Sequence, residues 1–110
     1  MTTVSIRRDQ NKSYKGFICM GHADFAGRNK PDILCAAISA LVIGTINSLE
    51  ELAGEKMTVA TDEATGFIRC DFQGTLQEKS SFLVDSMVFI LEGLSREYGE
   101  KYLQVKFEEV

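Results

Sequence analysis

The sequence predicts an α/β protein of the α+β type, a two-layer sandwich in which one mixed sheet of about five strands is backed by two helices. Three observations lead there. Four short segments alternate apolar and polar residues with a period of two, as half-buried strands do, and a fifth, 14–20, is a run of strand formers. Two longer segments repeat apolar residues at helical spacing. The order along the chain is β-β-α-β-β-α-β, and strands with one polar face cannot be covered by helices on both sides. At 110 residues, the chain reads as a single domain, 1–110.

Residues 2–8 place Val4 and Ile6 on one side and Thr3, Ser5 and Arg7 on the other, which predicts a first strand. A polar turn at 9–12 leads to a second strand over 14–20, so the chain opens with a hairpin. That strand ends at Gly21-His22, where glycine permits backbone geometry that other residues resist. Residues 23–30 form a loop carrying Asp24, Gly27, Arg28 and Asn29, all common turn residues. Pro31 suits a helix start, and Asp32 is placed as N-cap, with the Cys35 amide as candidate partner. The helix runs over 33–52 and is apolar nearly all round for three turns. Burial on more than one face is therefore expected. Gly54 closes it.

A second hairpin follows, with strands over 56–61 and 67–72 around the turn 62–66. Thr75 and Glu78 have the spacing of a capping box, opening a second helix. Its apolar stripe, Leu83, Met87, Ile90/Leu91, Leu94 and Tyr98, reads as core or dimer surface, and Gly99 stops it. A last strand covers 102–107.

Bulk composition excludes several classes. With 45% hydrophobic and 25% charged residues this is ordinary globular composition. A net charge of −4 and scattered basic residues argue against a surface that grips nucleic-acid phosphates. Three cysteines without close spacing suggest neither a disulfide framework nor a zinc site. The first ten residues lack a signal-peptide layout, and the apolar run 33–46 is short of the roughly 20 residues of a membrane span. A cytoplasmic protein with reduced thiols is expected. A small core makes a homodimer plausible.

The chemistry concentrates at 21–41. Cys35 sits in the first turn of an apolar helix, where free amide groups and the helix dipole favour a thiolate. The bland alternative is a core cysteine packed as a small hydrophobe. His22, the only histidine, stands at a glycine-marked strand end beside the loop leading to that thiol. A Cys–His pair within proton-transfer reach would make the thiolate a nucleophile and the imidazolium an acid for a leaving amine. Asp32 is either the helix cap or a third residue orienting His22, as in a triad. Ser39, one turn after Cys35, is either back-bonded to a helix carbonyl or positions substrate. The amides at the start of the helix are candidate oxyanion donors, and the loop 23–30 is a connector or a lid.

Gly21-His22-Ala23, a loop, and then Asp32-Ile33-Leu34-Cys35-Ala36-Ala37-Ile38-Ser39 closely resemble the paired motifs of the ribosomal-processing cysteine protease family (Prp). The resemblance implies a homodimeric endopeptidase that removes the N-terminal extension of large-subunit ribosomal protein L-twenty-seven, cutting after an aromatic-rich, apolar segment. Carried over by position, it makes Cys35 the nucleophile and His22 the base. Gly21 would allow loop movement, and Asp32 and Ser39 would be supporting positions. It implies no cofactor and no metal. The alternative reading is a non-catalytic ribosome-assembly factor that clamps the same peptide. A redox sensor using Cys35 is a third reading, with Cys19 or Cys70 as the only possible resolving thiols.

Overall fold

The computed structural model describes residues 1–26 and 32–110. The elements are β1 (Thr2–Arg8), β2 (Tyr14–Met20), α1 (Ile33–Glu51), β3 (Met57–Asp62), β4 (Phe67–Phe72), α2 (Glu78–Tyr98) and β5 (Leu103–Glu109). The predicted order holds throughout. Pro31 and the loop residues Gly27, Arg28, Asn29 and Lys30, half of the connector or lid at 23–30, lie outside the described residues.

The strands form one sheet in the order β3-β4-β2-β1-β5. β1 runs antiparallel to β2, β2 to β4 and β4 to β3, while β5 joins β1 in parallel, so the sheet is mixed. Period-two alternation puts Val4 and Ile6, Phe17 and Cys19, and Ile68 and Cys70 on one buried face. The pairings Val4↔Cys19, Cys19↔Ile68 and Phe17↔Cys70 align them across three strands. Leu34, Ile38, Val42, Ile46 and Leu49 of α1 and Val84, Met87, Val88 and Leu91 of α2 close the core from the helix side. The crossover β2-α1-β3 carries the chain from the end of one strand, across the helix layer, to the sheet edge. That places the end of β2 beside the start of α1.

Three expectations are corrected. α1 buries one stripe rather than several faces: Ile33, Ile43 and Leu52 are exposed. Its outward positions are filled by Ala36, Ala37, Ala40 and Gly44, whose small side chains make the sequence apolar without demanding burial. At 19 residues, α1 is also long and apolar enough to cross a membrane by length and composition, although Leu34, Ile38, Val42, Ile46 and Leu49 pack into the core. The stripe of α2 is as expected at Met87 and Leu91, with Leu83, Leu94 and Tyr98 packed against the core, but it widens to include buried Val84 and Val88 and leaves Ile90 exposed.

The third correction concerns the start of α2. Thr75 and Glu78 form no capping box; Gln77 is the N-cap and makes no side-chain capping bond. The role passes to Glu55, from the turn after α1. One Glu55 carboxylate oxygen, Oε1, accepts from the Gln77 amide N at 3.1 Å, from Gln77 Nε2 at 3.0 Å and from Ser80 Oγ at 2.7 Å. These bonds, led by that from Ser80, hold the Glu55 carboxyl below its usual value. The negative charge also suits the positive end of the helix dipole.

Candidate active site

His22 is placed by glycine. β2 ends at Met20, and Gly21 turns the chain with φ +88°, a conformation that strains any L side chain. A Cβ at this position would also collide with the Met1 carbonyl oxygen. The Gly21 amide donates to the Thr65 carbonyl at 3.3 Å, which ties the end of β2 to the β3–β4 turn. His22 follows as an exposed side chain at the rim of the sheet.

Cys35 is placed by Asp32. This residue is the N-cap of α1, with extended backbone angles, and its Oδ1 accepts from the Cys35 amide at 2.9 Å. Its Oδ2 accepts from the Phe25 amide at 2.8 Å. One carboxylate therefore fixes both the helix start and the backbone at Phe25. The Phe25 ring packs edge-on against Tyr98 and Tyr102, with centroids 5.0 Å and 5.2 Å away, anchoring this segment to α2 and β5. Partial burial pushes the Asp32 carboxyl up, but amide donors from Cys35, Phe25, Ala26 and Leu34 outweigh it and hold the carboxyl below 3.8. Asp32 is thus a cap; both of its oxygens face backbone amides rather than His22.

The two placements bring Cys35 Sγ to 3.9 Å from His22 Nδ1, the reach of a thiol–imidazole hydrogen bond. The other ring nitrogen, Nε2, lies 3.2 Å from the Ala64 carbonyl oxygen. Both side chains line a cleft of about 350 Å³ between the start of α1 and the β3–β4 hairpin. Its walls combine apolar Ile38, Ile43 and Phe67 with polar Thr61 and Ser39. Ser39 lies on the cleft one turn along the helix from Cys35. The back-bond to a helix carbonyl considered for Ser39 is made instead by Thr45, whose hydroxyl donates to Leu41 O at 2.7 Å.

The other two thiols are unlike Cys35. Cys19 lies on the cleft floor but is only 4% exposed, and burial, followed by the charge of Cys35, raises its pKa to about 11. Cys70 is fully buried, donates to the Met57 sulfur at 3.4 Å, and is raised by burial and then by Asp71 to about 12. All three cysteines are free. Among the described residues, no group of three His, Cys, Asp or Glu side chains is arranged to hold a metal.

At the helix start, two of the candidate oxyanion donors are already engaged. The Cys35 amide is engaged by Asp32 Oδ1, and the Ala36 amide donates to the Asp32 carbonyl at 3.0 Å. The side-chain cap holds the first of these amides and the helix's own backbone bond holds the second. One feature escaped sequence reasoning altogether: the carbonyl of Ala64. A backbone oxygen leaves no residue-type signal, and Asp62-Glu63-Ala64-Thr65-Gly66 reads only as a turn.

Comparison with known proteins agrees with this geometry. Residues 1–104 match the family model described as cysteine protease Prp. The ribosomal processing cysteine protease Prp of Bacillus subtilis is 31% identical over 104 residues, covering 91% of this chain and 92% of that protein. The Staphylococcus aureus protein of the same name is 28% identical over 100 residues, covering 91% and 93%. A crystal structure of Staphylococcus aureus Prp with a covalently linked product peptide superposes with a TM-score of 0.89 at 25% identity, over 98% of this chain and 100% of that one. A Streptococcus mutans structure shares the fold, with a TM-score of 0.84 at 24% identity over 100% and 99% of the two chains. Strand order, cleft and family match lead to one assignment: the chain belongs to the Prp family of cysteine proteases.

Proposed function

We propose that the chain is the endopeptidase that trims the N-terminal extension of large-subunit ribosomal protein L-twenty-seven, with Cys35 as nucleophile and His22 as general base and then acid. The observation that carries the reading is the 3.9 Å approach of Cys35 Sγ to His22 Nδ1 in an open cleft. The name and bound product peptide of the relatives support a ribosomal protein segment as the substrate.

In this reading the Cys35 thiol gives its proton to His22 Nδ1, and the thiolate attacks the scissile carbonyl carbon. The tetrahedral intermediate collapses as the imidazolium passes that proton to the departing amine, leaving a thioester on Sγ. His22 then takes a proton from water, whose oxygen attacks the thioester; the extension is released as a free acid, and the proton returns from His22 to the Cys35 sulfur. Ile38, Ile43 and Phe67 supply apolar walls for an apolar, aromatic segment of substrate. Asp32 and Ser39 act in support, Asp32 by holding the helix start and Ser39 from the cleft wall, and Gly21 by the turn that delivers His22.

The homodimer belongs to the same proposal. Phe82 and Phe89, two turns apart on α2 and 72% and 73% exposed, are the apolar surface a second copy would cover. Three unpaired thiols suit the reducing cytoplasm. The decisive experiment is mass spectrometry of a peptide spanning the extended N-terminus of the host ribosomal protein. A single cut by wild type, absent with Cys35→Ala, supports the proposal. Binding without a cut by either protein returns the reading to a peptide clamp.

A further inference from the structure

We propose that the β3–β4 turn, residues 62–66, is the positioning element of the Cys35–His22 pair: the Ala64 carbonyl selects the imidazole tautomer, and Gly66 leaves the space the ring occupies. The proposal rests on the reading of Cys35 as nucleophile and His22 as base.

A carbonyl oxygen only accepts, so the 3.2 Å approach of His22 Nε2 to Ala64 O places the proton of a neutral imidazole on Nε2. Nδ1 then carries the lone pair, and Nδ1 is the nitrogen that faces Cys35 Sγ. The tautomer fixed by the turn is the one able to accept the thiol proton. Once His22 is protonated, the same carbonyl dipole still receives the Nε2–H and steadies the cation. In many nucleophile–base–acid sites a carboxylate has this task. Here Asp32 is occupied by the amides of Phe25 and Cys35, and a main-chain oxygen stands in its place.

The turn is built to hold that oxygen still. Asp62 Oδ1 accepts from the Ala64 amide at 3.1 Å, and the Gly66 amide donates to Glu63 O at 3.2 Å. The Gly21 amide donates to Thr65 O, joining the turn directly to the residue before His22. The pairings Asp62↔Phe67 and Cys19↔Ile68 fix the turn through the sheet to the end of β2. Gly66 has φ +66°, and a Cβ on it would sit 2.5 Å from Gly21 O and 3.1 Å from His22 Cε1. Any side chain here must displace the backbone that carries His22 or the imidazole itself.

His22 is the only histidine, so long-range proton–nitrogen spectra of uniformly ¹⁵N-labelled protein contain a single imidazole. With the imidazole neutral, wild type should show the Nε2–H pattern. Gly66→Ala should convert it to a mixture and lower kcat by roughly 10²-fold, as displacement of a catalytic group by about 1 Å does, with KM changed little. Asp62→Ala, which keeps the glycine and frees the Ala64 amide, should move tautomer and kcat the same way by several-fold. A purely structural turn would lower the melting temperature of both variants and leave the tautomer untouched. An Nδ1–H tautomer in wild type overturns the proposal even if neither variant folds. Full kcat with an unchanged spectrum in folded Gly66→Ala overturns it too. Peptide cleavage by Cys35→Ala would instead remove the catalytic reading beneath it, so the two failures are distinguishable.

Discussion

Cys19 and Cys35 line the same cleft, yet their surroundings make them different chemical groups. Cys19 projects into the core from near the end of the central strand β2, with Val4 and Ile68 as its cross-strand neighbours. Burial keeps it a neutral thiol until the pH approaches about 11. Cys35 stands where a helix begins, half-exposed, with an imidazole nitrogen 3.9 Å from its sulfur. Strand interiors turn a cysteine into core, whereas helix starts present it to a base.

The strongest way to break this contrast is to delete each thiol. Cys35→Ala should lower peptide cleavage by roughly 10³–10⁶-fold, as loss of a nucleophile does. Cys70→Ala, outside the cleft, should leave the cut in place and cost stability alone, visible as an earlier urea midpoint. Next comes the proposed base: His22→Ala should cost roughly 10²–10⁴ in kcat. Alkylation sharpens the comparison without substitution. At pH 8, iodoacetamide followed by peptide mapping should place a single adduct on Cys35, because pKa values of about 11 and about 12 leave Cys19 and Cys70 almost wholly protonated. Adducts on Cys19 at a comparable rate would erase the distinction.

Smaller effects separate the two helix starts. Asp32→Ala removes a local cap and should cost about 0.5–2 kcal/mol in denaturant unfolding, together with activity, since the same carboxylate places Cys35 and Phe25. Glu55→Ala leaves the buried Ser80 hydroxyl without its acceptor and should cost about 1–3 kcal/mol with little change in kcat. Both carboxyls titrate below their usual values in the fold. The unfolded chain therefore binds more protons than the native one as the pH drops. Their stabilisation is complete above about pH 5 and is lost as the pH falls through the folded pKa values. Glu55→Gln should accordingly flatten the decline in stability between pH 5 and pH 3, as measured by urea midpoints.

What the sequence revealed follows the range of the interactions. The seven elements were legible because period and punctuation are local, and Asp32 was legible as a cap because its partner is three residues away. Glu55 was not, since its partners lie 22 and 25 residues on, beyond β3 and β4. The approach of His22 to Cys35 could be suspected from a shared loop; the Ala64 carbonyl, 42 residues from His22, could not. The single buried face of α1 was misjudged because alanine and glycine count as apolar in a pattern yet carry little surface to hide. The enzyme-or-clamp alternative was answered by the family match, in favour of an enzyme.

The central claim is that Cys35, armed by His22, is the thiol that attacks the peptide. It is tested most directly with an aromatic-rich apolar peptide ending in a thiol-reactive chloromethyl ketone, followed by intact-mass measurement and mapping. The account predicts one label per chain, on Cys35, formed much more slowly in His22→Ala. A label on Cys19, or one formed equally fast without His22, would contradict it.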